Sequence, residues 1–122
     1  MLGRGGCALI GVDLKKDPAR LHAAYNDAQG VTAAFNRNLL VRVNRELGGT
    51  FDLDGFAHRA IWNAGASRVE MHLVSRRRQH VHVEAARVDV TLEADEWIWT
   101  ESSYKYRAAD LAPMLEPAGF RV

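Results

Sequence analysis

Between Asp52 and Phe56 the spacing of apolar residues changes from helical to alternating. A chain with that change must place helices first and a sheet after them, because the two periods cannot be met by one kind of element. Ahead of the change, Asp17-Pro18 reads as a helix N-cap followed by proline at the first helical position. Leu21, Ala24 and Tyr25 then give a short helix one apolar face. Gly30 interrupts, and a longer helix is predicted from Thr32 or nearby to about Leu47. Its core face is Val31, Phe35, Leu39, Val43 and Leu47, and Gly48-Gly49 stop it. Asn36, Asn38 and Asn44 are weak helix formers inside that helix, so at least one is expected to bond to a loop or a ligand.

Beyond the change, His58 to Asn63 and Val69 to Arg76 flank Asn63-Ala64-Gly65-Ala66 and read as a hairpin. His80 to Val83, Val88 to Leu92 and Trp97 to Thr100 continue the alternation. The prediction is one antiparallel sheet with a face on the two helices, closed by a last helix over about Ala108 to Leu115 that ends near Pro117-Ala118-Gly119. No repeat or low-complexity linker divides the chain. At the other end, Gly3, Gly5 and Gly6 precede the apolar run Cys7-Ala8-Leu9-Ile10-Gly11-Val12, which fits a strand covered on both faces, with Cys7 as a small buried hydrophobe. Such a strand needs neighbours.

Composition narrows the function classes. The 122 residues carry 16 basic and 15 acidic side chains for a net charge of +1, which builds in no attraction to nucleic acid or to a membrane surface. One cysteine excludes an internal disulfide and fits a reducing cytoplasm. No apolar stretch reaches the length of a membrane span, and the short Gly/Arg start is not a signal peptide.

Chemistry concentrates in Thr100-Glu101-Ser102-Ser103-Tyr104-Lys105-Tyr106, which puts a carboxylate, hydroxyls, phenols and an ammonium directly after Trp97 and Trp99. Glu101 and Ser103 would point to one side of a strand and suit a pocket wall for a small polar molecule. A solvated edge-strand Glu beside turn serines fits the same residues. Tyr25 could reach a carboxylate or an amine at a pocket mouth, or simply close the apolar face of its helix. Thr32 reads equally well as a helix cap, and Met71 as a core residue.

The same stretch, with Gly11-Val12-Asp13-Leu14-Lys15-Lys16-Asp17-Pro18, Ala24-Tyr25-Asn26-Asp27-Ala28-Gln29-Gly30-Val31-Thr32 and Phe35-Asn36-Arg37-Asn38-Leu39-Leu40, resembles the histidine N-alpha-methyltransferase family of ergothioneine biosynthesis. The resemblance runs from about Leu9 to Phe120 and corresponds to the C-terminal part of such an enzyme. It implies an α/β fold: the C-terminal portion of a Rossmann-like core carrying an inserted α+β substrate-binding domain, two helices packed on an antiparallel sheet. Residues 1–15 would then end the core, 16–106 form the substrate-binding domain, and 107–122 return to the core. It also implies an S-adenosyl-L-methionine-dependent enzyme whose substrate is L-histidine or a related amino acid. Glu101 and Ser103 would take the side chain, since a carboxylate and a hydroxyl can meet both ring nitrogens of an imidazole. Tyr25 would contact the backbone end of the substrate, Thr32 would be a weaker contact, and Met71 would line the pocket. Where the family usually has Gly-Glu, this chain has Asp95-Glu96.

His58, His72, His80 and His82 invite a metal, but no ligand-spaced cysteines accompany them, and sheet-surface histidines are the better reading. Arg76-Arg77-Arg78 reads as a hairpin tip and not as a nucleic-acid site. Asp13, at the end of the first run, is either a cap paired with Lys15 or Lys16 or a residue at a ligand-gathering strand end. No glycine-rich strand–loop–helix turn for the methyl donor is found. The expectation is a substrate-binding portion, inactive alone: a fragment, a truncated open reading frame, or one half of a split enzyme whose partner is an N-terminal half-protein. Two other readings are a non-catalytic module for an amino acid or imidazole, and a partial domain with an exposed sheet edge.

Overall fold

Asp17 starts the first helix, α1 (Pro18–Tyr25), by accepting from the N–H of Ala19 at 2.9 Å and Arg20 at 3.3 Å. The computed structural model describes residues 5–122, so Gly3 lies outside it. The apolar face of α1 is narrower than expected: Leu21 is buried and Tyr25 half-buried, but Ala24 is exposed. Helix α2 (Val31–Leu47) follows Gly30, whose φ of 72° is left-handed. Its free N–H groups are met from one turn earlier, by the Asp27 carboxylate, with Val31 at 2.8 Å and Thr32 at 2.9 Å. Gly48 ends the helix at φ 65°, and a Cβ there would lie 3.0 Å from Glu84, so both conformation and space call for glycine.

The face that α2 buries is not the one its apolar spacing suggests. Asn36 and Leu40 are buried, whereas Val31, Phe35, Leu39 and Leu47 of the expected core face are exposed, Phe35 at 65%. The cause is polar. The Asn36 amide donates to His58 Nδ1 at 3.0 Å and to the His72 carbonyl at 3.1 Å, which turns that side of the helix toward the sheet. Asn44 bonds to the backbone of Phe51 through both its amide atoms, at 2.8 and 2.9 Å. Two of the three helix asparagines therefore tie α2 to the rest of the chain, as expected.

Five strands follow: β1 (Phe56–Asn63), β2 (Arg68–Ser75), β3 (Gln79–Val83), β4 (Val88–Leu92) and β5 (Trp97–Tyr104). They make two antiparallel units where one sheet was expected: a three-stranded sheet in the order β1-β2-β5, and a separate β3-β4 ribbon. Arg76-Arg77-Arg78 is not the expected hairpin tip, because β2 and β3 do not pair. The chain bends there, and β5 takes the free edge of β2, beginning where Asp95 N donates to Ser75 O at 2.8 Å. With that edge filled, the ribbon's backbone bonds run to the end of α2 and not to the sheet, Thr50 N donating to His82 O at 3.0 Å and Glu84 N to Gly48 O at 3.3 Å. Asp95 has φ 65°, a conformation that costs a side chain energy and costs glycine none, which accounts for the family's usual Gly.

Two apolar clusters hold these parts together. Leu40, Phe56, Leu73, Val81 and Leu92 join α2, the three-stranded sheet and the ribbon; Leu21, Ala60, Val69 and Met71 join α1 to the sheet. On the outer sheet face, His72 is buried beneath Trp97 and Trp99, with ring centroids 4.9 and 5.8 Å away. Burial lowers its pKa, Glu70 works against that, and among the described residues neither ring nitrogen has a hydrogen-bond partner.

Helix α3 (Ala108–Leu115) has the expected bounds. The N-terminal expectation fails. Cys7 to Val12 forms no strand, Cys7 is exposed, and Leu9 and Ile10 stand open to solvent. A strand exists only through a neighbour's hydrogen bonds, and among the described residues no strand pairs with the run. Residues 8–12 and the α3 end of the chain instead border an apolar hollow of about 270 Å³.

Asp27 carries a pH prediction. The N–H of Thr32, then that of Val31, hold its carboxyl at about 2, against 3.8 for a free aspartate. A lowered folded-state pKa gives stability that is present above the unfolded value and lost as pH falls through the folded one. The melting temperature of the wild type is therefore expected to fall between pH 4 and 2 more steeply than that of Asp27→Asn. Parallel curves in scanning calorimetry would refute the capping role.

Candidate functional site

Three features place Tyr25. The Asn26 side chain clasps the backbone of Ala60, donating to its carbonyl at 3.1 Å and accepting from its N–H at 3.0 Å. His58 Nε2 donates to the Tyr25 carbonyl at 2.8 Å, while its Nδ1 accepts from Asn36, which sets the tautomer. The ring of Tyr25 packs on the Leu21–Met71 cluster. Its phenol oxygen then lies 2.8 Å from Ser103 Oγ, 78 residues further along.

Strand β5 aims its side chains through an irregularity. Leu73 pairs with Ile98 and His72 with Trp99, but Met71 pairs with Glu101, leaving Thr100 as an extra residue. Its hydroxyl donates to the Met71 carbonyl at 2.9 Å. Directly opposed residues share a face, so this bulge moves Glu101 and Ser103 onto the helix-facing side with Met71 and Val69. Without it, Glu101 would sit with Trp97 and Trp99 on the outer face. The expectation that Glu101 and Ser103 share a side holds.

Glu101 is half-buried and, with Thr100, lines a recess of about 180 Å³ against Phe35, Asn36, Asn38 and Arg42 of α2. Among the described residues no side chain pairs with its carboxylate. Met71 is 2% exposed, a core residue directly opposite Glu101. Thr32 stands apart, its hydroxyl donating to the Ala24 carbonyl at 3.2 Å and its N–H to Asp27. Tyr25, Ser103, Glu101 and Met71 are thus gathered on one side of one sheet, and Thr32 closes a helix junction nearby.

One residue missing from the expected site is at its centre. The Lys105 side chain has no exposed surface, and its ammonium donates to Tyr25 Oη and Ser103 Oγ, both at 2.6 Å, and pairs with Asp13 at 3.1 Å. Burial works against its charge, but the bonds to Tyr25 and Asp13 outweigh burial and raise its pKa above that of a free lysine. Asp13 also pairs with Lys16, and that bond, ahead of the one from Lys105, lowers its carboxyl. The expected pair with Lys16 is present, although the helix cap is Asp17 and not Asp13, and the second partner is the surprise. A lysine in a polar run looks like surface; the available signal was its place two residues after Ser103, directly beyond the strand that holds Ser103. Of the histidines, His58 serves Tyr25 and His72 lies under the tryptophans. His80 and His82 sit on the ribbon beside Asp89, at 3.5 and 2.9 Å.

Tyr25 bonds Ser103, and on the same sheet face the Glu101 carboxylate lines the recess against α2; such groups are able to hold a polar small molecule by its hydrogen bonds. The family model for SAM-dependent, histidine-specific methyltransferases matches residues 1–122, and the chain belongs to that family. It is 50% identical over 117 residues to the histidine N-alpha-methyltransferase of Mycolicibacterium smegmatis, covering 96% of this chain and 36% of that protein, in its C-terminal part. With the histidine N-alpha-methyltransferase of Mycobacterium tuberculosis it shares 47% over 115 residues, again 36% of the relative. Ergothioneine biosynthesis protein 1 of Neurospora crassa is 29% identical over 114 residues, 13% of its length. The chain spans about a third of the two bacterial relatives.

Proposed function

We propose that this chain is the substrate-holding portion of an S-adenosyl-L-methionine-dependent histidine N-alpha-methyltransferase, which trimethylates the amino group of histidine to hercynine. One observation carries the reading: Tyr25 and Ser103 meet at 2.8 Å, with the unpaired Glu101 on the same face of the same strand. In this reading Glu101 accepts the imidazole N–H, Ser103 meets the other ring nitrogen, and Tyr25 stands at the backbone end. Met71 packs beneath the ring, and Thr32 acts at most through Tyr25. Methyl transfer asks for the amine held close and in line, which is a binding task.

The domain division is part of the same proposal, with 16–106 as an insertion into a Rossmann-like core. Support comes from the ends of that segment. Lys15 N donates to Tyr106 O at 2.8 Å and Tyr106 N to Asp13 O at 3.0 Å, so the chain enters and leaves side by side. The methyl donor does not fit the residues present: among those described, no strand runs through a glycine-rich turn into a helix. The reading accordingly includes a companion polypeptide or segment carrying the rest of the fold. The exposed Val31, Phe35, Leu9 and Ile10 support that.

Calorimetry of the chain with L-histidine is expected to show one-site binding, and no heat at millimolar histidine overturns the substrate role. Incubation of the chain alone with histidine and S-adenosyl-L-methionine is expected to give no methylated product. Product formation would overturn the need for a companion.

A further inference from the structure

Lys105 has three ammonium protons and three acceptors: Tyr25 Oη, Ser103 Oγ and the Asp13 carboxylate. No donor of the group is left over, and with its side chain fully covered it offers nothing to a ligand directly. Its effect passes through the two hydroxyls. Each hydroxyl oxygen has one proton and two lone pairs. Lys105 fills one lone pair on each, and the 2.8 Å contact between Tyr25 and Ser103 uses one hydroxyl proton and one further lone pair. A single hydroxyl proton remains uncommitted. Phenol is the more acidic group, so Tyr25 gives its proton to Ser103. Ser103 then accepts twice and keeps only its own O–H to offer.

Resting on the proposed function, we propose that Lys105 is a positioning residue that makes Ser103 a hydrogen-bond donor only, so that the site demands an accepting ring nitrogen opposite Ser103 and an N–H opposite Glu101. An aromatic amino acid lacking either feature leaves a half-buried polar group unmet, which is how a polar site rejects a near-isostere. The geometry supports a selection rule and not just a strut. A strut would need contact with the backbone or the core, whereas every bond of this ammonium ends on a side-chain oxygen of the site or on its counter-ion.

The test compares L-histidine with the two pyrrolylalanines, 2-yl and 3-yl, whose rings keep one N–H and have carbon where the accepting nitrogen stood. Calorimetry at pH 8, where free imidazole is neutral, is expected to give the wild type about a tenfold preference for histidine over the better pyrrole. In Lys105→Met and in Tyr25→Phe one lone pair of Ser103 is freed, and the preference is expected to shrink to about threefold or less. Lys105→Arg, which keeps charge and donors, retains more of it than Lys105→Met. If Lys105→Met does not fold, Tyr25→Phe decides. A purely structural role weakens all three ligands alike and leaves the ratio unchanged; that outcome in a folded variant overturns the inference while the substrate reading stands. Absence of histidine binding by the wild type overturns both.

Discussion

Phe56→Ala is expected to cost about 3–5 kcal/mol, the range for emptying a fully buried aromatic position. Phe56 has no exposed surface, begins β1 and packs with Leu73 of the sheet, Val81 and Leu92 of the ribbon, and Leu40 of α2, with Phe51 at a ring-centroid distance of 6.0 Å. It therefore links α2, the sheet and the ribbon at once, and the ribbon has no backbone ladder to the sheet to take over once those contacts go. Relaxation is restricted on one side, because Gly55 next to it is pressed against the Gln79 amide, where a Cβ would meet atoms at 2.8–2.9 Å. Domains of this size have about 5–15 kcal/mol in total, so the variant is expected to be largely unfolded at modest urea. Urea titration followed by far-UV circular dichroism measures this, with Leu9→Ala as the exposed control, expected within about 0.5 kcal/mol of wild type. A loss below about 1 kcal/mol for Phe56→Ala would mean that the sheet and ribbon do not share this core.

The elements with a strong local signal were legible. Asp17-Pro18 fixed the start of α1, Gly48-Gly49 the end of α2, and the alternation around Asn63-Ala64-Gly65-Ala66 the β1–β2 hairpin. What failed was decided by distant partners. The buried side of α2 is chosen by Asn36, whose acceptors lie 22 and 36 residues away, so an apolar count selected the wrong stripe. The split of the sheet depends on β5 taking the edge of β2, a choice that alternation within each strand does not encode. The apolar run at Cys7 to Val12 has strand composition, but composition supplies no hydrogen-bond partners.

The site divides in the same way. That Glu101 and Ser103 share a side follows from their spacing, and a resemblance covering the motif pointed to both. Which side they share is set by the bulge at Thr100, a feature of pairing with Met71 and His72 that the strand's own residues do not announce. Lys105 was hidden for a related reason. Hydropathy places a lysine at the surface, and only the arrival of Tyr25, Ser103 and Asp13 from three separate segments makes burial of its charge tolerable.

Glu101→Gln is expected to weaken L-histidine binding about tenfold, and Glu101→Ala about a hundredfold, with the unfolding midpoint of both close to wild type. The carboxylate lines the α2–β5 recess without a partner among the described residues, so its removal takes nothing from the fold. A hydrogen bond from the imidazole N–H to an ionised carboxylate is roughly twice as strong as one to a neutral oxygen. Glutamine keeps the shape and a carbonyl acceptor but loses the charge, which accounts for the smaller loss; alanine removes the acceptor altogether. L-Phenylalanine offers no ring N–H, so its weaker binding should respond little to either change and separates lost recognition from lost pocket shape. Titration of the three proteins with both amino acids decides the point. Equal histidine affinity in wild type and Glu101→Gln would take Glu101 out of the site, since a carboxylate that meets the substrate cannot lose its charge without weakening the complex.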